Sequence, residues 1–204
     1  MPSYKGLAIA TFKDKQFIKE KKMELSDGEK LILIMLSEIY EKLQLDGEID
    51  PQFIKSSIFS ENTWGINWKY SGIPFEDDKT PQIVREIVNI LDMWEIIEAS
   101  YEKLSEKDKI LVEKEASPFG RNPRFHGFDG SNESKLMGIA IFLIDDLNRF
   151  QRFINRDLNS HYPSIDVYRR MYAVFEPMRL GLKNLLNANQ LIQILCEKVH
   201  PKRR

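Results

Sequence analysis

Ile83, Ile87, Ile90, Trp94, Ile97, Tyr101 and Leu104 recur at alternating intervals of four and three residues. That spacing keeps one stripe of a helix apolar and does not fit the two-residue period of a strand. Thr80 is placed to cap the start, and Pro81 suits the first turn, where its missing N–H forfeits nothing. At about 1.5 Å per residue the helix is roughly 35 Å long, enough to cross a small domain from side to side. Whatever else the chain does, it has to build a body around this segment.

A second seam of the same kind runs through Leu136, Ala140, Leu143, Leu147, Phe150 and Ile154, with Asp129 or Ser131 as its cap. Ile139 and Phe142 widen it, so that Leu136 to Ile144 is apolar on all sides. Such a segment needs cover on every face, from a partner subunit in a dimer or from the chain's own first and final helices. Ser26, followed three residues on by Glu29, forms a capping box. The helix it opens is apolar on every side from Leu31 to Leu36 and continues through Ile39, Tyr40 and Leu43, so it too must be covered on more than one face. Asp50-Pro51 opens a shorter helix to about Phe59, Ser105 caps another to about Glu115, Val167 to Phe175 is helical with Pro177 as its limit, and Asn187 or Asn189 starts the last. The expected fold is all-α, an orthogonal or mixed helical bundle with two long helices. A short N-terminal arm, residues 1–24, precedes a helical domain over 25–198 and a basic tail over 199–204.

A chain of 204 residues fits one domain, which buries roughly 70% of its unfolded surface and needs no staples. The single Cys196 forms no internal disulfide and no secretory signal is visible, so the expected compartment is the cytoplasm. Leu136 to Ile144 is about half the length that spans a bilayer, and no membrane association is expected. The formal charge is −1 overall, but residues 1–104 carry 13 basic against 19 acidic side chains (−6) and residues 105–204 carry 17 against 12 (+5). Interleaving of the two halves' surface charges accounts for this asymmetry; an anion site in the second half is the sharper alternative.

The chemistry on offer is sparse. Trp64, Trp68, Tyr70 and Phe75 fall in a connection, residues 60–79, that has no helical period; aromatic residues there either pin it to the core or line a pocket. Arg121, Arg124 and His126 lie in a loop rich in Pro and Gly, with no acidic residue from Ser117 to Phe128. Guanidinium groups hold carboxylate or phosphate bidentately, so a small anion is the ligand this loop would take, together with Trp64 and Trp68 if the two loops meet. Asp129 at the following helix start opposes an anion there. Cys196 and His200 are four residues apart, but Pro201 frays the helix between them, so no metal site and no cofactor are expected. His126 and His161 sit in separate loops with no fixed relation. Asp145 and Asp146 precede Arg149 by four and three residues, as exposed helical ion pairs do. Arg149, Arg152 and Arg156 share a helical stripe, but nearby aspartates cancel it, so nucleic acid is not an expected partner. No residue is assigned a catalytic role.

The order of several short segments resembles the YfbU family of small helical bacterial and archaeal proteins without an established activity. They are Leu31-Ile32-Leu33, Ile90-Leu91-Asp92-Met93-Trp94, Gly127-Phe128-Asp129 and Leu186-Asn187-Ala188-Asn189, within roughly residues 24–198. The resemblance implies a fold and no catalytic residues. Some relatives join this domain to a DNA-binding helix-turn-helix, which implies a ligand-sensing or interaction role, although residues 1–24 are too short to be that module. The expectation is a non-catalytic regulatory or protein-interaction module, dimeric and sensing a small anion. Its alternatives are an enzyme with a pocket between 64–75 and 117–129, or a nucleic-acid-associated regulator.

Overall fold

The computed structural model describes residues 25–73, 80–179, 181 and 185–199. The N-terminal arm, Phe75, Asp77-Asp78, His200 and all of the tail beyond Val199 lie outside the described residues. Helix α1 (Asp27–Lys42) opens with the capping box: the Glu29 N–H donates to Ser26 Oγ at 3.3 Å, and the Ser26 N–H donates to Glu29 Oε2 at 2.7 Å. Helix α2 (Pro51–Phe59) starts at Asp50, whose carboxylate accepts the Gln52 and Phe53 N–H groups at 3.0 and 3.1 Å. The connection after it is not wholly irregular, since Trp64–Lys69 forms a short helix, α3. Then come α4 (Gln82–Lys103), α5 (Glu106–Glu115), α6 (Ser134–Ile141), α7 (Ile165–Arg179) and α8 (Ala188–Cys196). Ser105 caps α5, and Asn187 with Gln190 builds a second capping box on α8. Among the described residues there is no strand; one parallel bridge links Phe128 to Asn159.

Helix α4 is the centre, in contact with α6, α7 and α8. Ile83, Tyr101 and Leu104 at the ends of its seam are half-buried, while the middle is inside, with Ile87, Ile90, Trp94 and Ile97 at 0–1% exposure and Leu91 and Met93 beside it at 0%. Each such side chain contributes about 1.5–3 kcal/mol by leaving water. Thr80 does not cap this helix; Pro81 holds the cap position without a side-chain bond, and Thr80 Oγ1 accepts the Trp68 indole N–H at 2.9 Å.

The second long helix is shorter than its seam predicts. Regular α-helix ends at Ile141, a π-helical turn covers Phe142–Asp146, and Asn148 and Phe150 take positive φ values of 53° and 51°. Tertiary bonds hold the break: Ser56 Oγ donates to Asp146, and the Gln151 amide donates to the Ile144 carbonyl at 3.2 Å. Among the described residues α4, at 22 residues, is the longest helix, and the second seam is divided between α6 and the π-helical turn instead of forming one long helix. Within Leu136 to Ile144, Ile139, Ala140, Phe142, Leu143 and Ile144 are buried, against α4 and against Phe53 and Trp64, whose rings lie 5.7 and 5.4 Å from that of Phe142, whereas Leu136 and Met137 are half-buried and Ile141 is 37% exposed. Most of the segment's cover thus comes from α4 and the α2–α3 aromatics.

The break also disperses the arginine stripe. The Arg149 guanidinium stacks 4.4 Å from the Trp68 ring centroid instead of pairing along a helix with Asp145, while Arg152 reaches Glu102 at 2.6 Å and Arg156 reaches Glu98 at 2.7 Å. Arg169 pairs with Glu86 at 2.6 Å and Arg179 with Asp92 at 2.7 Å. These four pairs join basic residues of the second half to acidic residues of α4, so the charges of the two halves do interleave.

Candidate functional site

The loop after α5 is held by its apolar residues and by its backbone. Phe125 inserts among Trp94, Phe128, Phe153 and Tyr168, with ring centroids 5.2–6.1 Å away. Its N–H donates to Glu98 Oε1 at 2.9 Å. Glu98, only 5% exposed, receives both arms of the Arg156 guanidinium at 2.7 Å, so its charge is matched and bidentate. Successive residues of an extended segment point to opposite sides. With Phe125 inside, Arg124 and His126 on either side of it are exposed.

Both line a cavity of about 510 Å³ whose other wall is residues 155–157 and 159–161. The Phe128–Asn159 bridge makes that wall: the Phe128 N–H donates to the Leu158 carbonyl at 2.9 Å, and the Ser160 N–H donates to the Phe128 carbonyl at 3.0 Å. His126 and His161, unrelated in sequence, thus share one cavity. Burial holds the His126 pKa below its ordinary value, and the positive charges of Lys198 and Arg124 push the same way. Lys198, just past α8, places its amine 5.3 Å from the Trp94 ring centroid and 5.0 Å from that of Phe119. Burial among these rings pushes its pKa down to about 8.

The sequence candidates are divided by the fold. Arg124 and His126 come together. Arg121 does not join them: its side chain is 82% exposed and faces Glu113 at 3.7 Å. Trp64 is core, and Trp68 is half-buried between Trp64, Thr80 and Arg149. Neither tryptophan lines the cavity that holds Arg124 and His126. Lys198 and His161 were missed, because nothing local marks the end of α8 or the turn at 161 as neighbours of residue 126. Among the described residues no group of three or more His, Cys, Asp or Glu is placed to hold a metal, and no helix is long and apolar enough to cross a membrane. The Cys196 thiol lies 3.7 Å from the Glu115 carbonyl.

Over residues 23–196 the sequence matches the YfbU domain. The chain belongs to the YfbU family. A UPF0304 protein of Methanocaldococcus jannaschii is 29% identical over 115 residues, which are 53% of this chain and 64% of that protein, so the match spans just under two thirds of the relative's length. The family carries no established activity.

In this YfbU domain three of the four segments that carry the resemblance have structural work, whereas Leu31 and Ile32 of the first are exposed. Gly127 sits at φ +83°, where a Cβ would collide with the Leu158 carbonyl, and its own carbonyl accepts from Ser164 Oγ and Tyr168 OH at 3.0 Å each. The Asp129 N–H donates to Glu133, whose buried carboxylate also accepts the Ser164 and Ile165 N–H groups at the start of α7. A carboxylate there satisfies free N–H groups and complements the helix dipole. Leu91, Met93 and Trp94 are core, and Asp92 holds Arg179. The Leu186 N–H donates to Ser100 Oγ at 2.9 Å, and Asn187 caps α8.

Proposed function

We propose that this YfbU chain is a non-catalytic binding module that takes a small oxyanion, phosphate or carboxylate, in the cleft between residues 124–126 and 155–161. The observation that supports this is the placement of Arg124 and His126 in one cleft with His161, with the charge of Lys198 near enough to act on His126. Glu98 is chelated by Arg156, which leaves Asp157, an acceptor of the Asn159 N–H at 2.9 Å, as the acidic group of the lining that opposes an anion. A guanidinium and an imidazole beside polar Asn155 and Asn159 suit a charged oxygen cluster. The non-catalytic reading is supported by the structural engagement of the buried polar groups: Glu98 with Arg156, Glu133 with Ser164 and Tyr168 with Gly127. A cytoplasmic setting suits a chain whose single cysteine cannot form an internal disulfide.

Calorimetric titration with inorganic phosphate and, separately, acetate tests the reading. Saturable binding of one of them, weakened at least tenfold by Arg124→Ala combined with His126→Ala and untouched by Arg121→Ala, is the expected result. Absence of binding by both anions at millimolar concentration, or equal loss in the Arg121 variant, rejects it.

A further inference from the structure

Helix α1 has two apolar faces and the described residues cover one. Leu33, Ile34, Ser37 and Tyr40 turn toward α2, its principal neighbour, where Lys55 also reaches Glu41 at 2.8 Å. On the far side Leu31, Ile32, Met35, Leu36, Ile39 and Leu43 are 50–63% exposed. At 100° per residue these six fall within one sector of about 140°, opposite the inward face. Together they present on the order of 600 Å² of apolar surface, at the top of what a typical monomer leaves open.

We infer that this face of α1 is an interface with a second copy of the same chain, formed by α1 packing across a two-fold axis at Met35. Three features select this occupant. A standard interface buries about 800 Å² per partner, roughly 65% of it apolar in homodimers, which is close to what the stripe and a polar rim supply. The ridge Leu31-Met35-Ile39 is symmetric about its middle member, so a two-fold at Met35 sets Leu31 of one copy against Ile39 of the other and asks for no second kind of surface. The ends are complementary as well: α1 has Asp27 and Glu29 in its first turn and Lys42 in its last. An antiparallel copy brings Lys42 beside the acidic turn of its partner and opposes the two helix dipoles. A membrane surface is a poorer match, because Asp27, Glu29, Glu38 and Glu41 outnumber Lys30 and Lys42 and repel anionic headgroups.

The test uses the full chain. Light scattering after size exclusion at 1–100 μM is expected to give two chains per particle. Met35→Glu is expected to give one, with unchanged helical circular dichroism. In a Cys196→Ser background, Met35→Cys is expected to cross-link to itself on mild oxidation, because a residue on the axis meets its own copy. Lys42→Glu is expected to weaken association about tenfold, and adding Asp27→Lys to restore it. A single chain at every concentration, a dimer indifferent to Met35→Glu, or a monomer that instead partitions onto anionic vesicles would each overturn the inference.

Discussion

Helices α1 and α4 carry apolar stripes of similar strength, yet α4 is the core of the domain and α1 lies at its edge. Their flanks account for the difference. Along α4, Glu86, Asp92, Glu98 and Glu102 meet Arg169, Arg179, Arg156 and Arg152 from the second half of the chain. These pairs hold distant segments down over the seam. Helix α1 has Lys55 and Glu41 on its inward side and no described partner across its outer stripe. An apolar period therefore predicts a helix and a surface to be covered; charges placed elsewhere in the chain determine whether the chain itself provides the cover.

The sharpest way to break that comparison is to truncate the centre of each stripe. Trp94→Ala removes a side chain with 0% exposure and is expected to cost about 3–5 kcal/mol in urea unfolding; a loss under about 1 kcal/mol would mean that α4 is not the core. The flank comes next. Arg156→Ala leaves the buried Glu98 carboxylate with only the Phe125 N–H, and about 3 kcal/mol is expected from an uncompensated buried charge. Arg169→Ala breaks a pair that is half exposed on the arginine side and is expected to cost under about 1 kcal/mol. Equal costs for the two would show that burial of the pair does not matter.

Much of α1, α2, α4, α5 and α8 was legible because the signals are local. Ser26 and Glu29, Asp50 and Pro51, Ser105, and Asn187 act within one helical turn of themselves. The break at 142–150 was not legible. Leu147, Phe150 and Ile154 continue a helical period, and what stops the helix is Ser56 and Gln151 bonding to it from outside, with non-glycine residues held at positive φ. Thr80 was misread for the same reason: a cap and an acceptor for Trp68 are the same hydroxyl, and only the fold selects between them. At the cleft, Arg124 and His126 were visible as a cluster without acidic neighbours. Lys198 and His161 were not, since their nearness depends on where α8 ends and on the Phe128–Asn159 bridge.

A smaller effect comes from Lys198, a charge that burial against the α4 seam disfavours. Its folded pKa of about 8 lies below the ordinary lysine value of 10.5, so the unfolded chain binds the extra proton between those pH values. Stability is therefore expected to rise as pH goes from about 8 to 10.5, by on the order of 1–2 kcal/mol after allowance for partial exposure. Lys198→Met removes the titrating group and is expected to flatten that rise in urea unfolding followed against pH. A slope that survives in the variant would assign it to another group.

The smallest expected effect is also the most discriminating for α1. Leu36→Ser replaces a large apolar residue at the same helical spacing as the α4 seam, but at 55% exposure. In dilute solution, where chains are separate, the change is expected to move unfolding by less than about 0.5 kcal/mol, as surface substitutions do. At high protein concentration the unaltered chain gains stability from association by mass action and the variant does not. The midpoints are thus expected to coincide when dilute and to separate progressively on concentration. A full core-like cost of 2 kcal/mol or more at the lowest concentration would mean that the outer face of α1 is already covered within one chain, and the contrast with α4 would disappear.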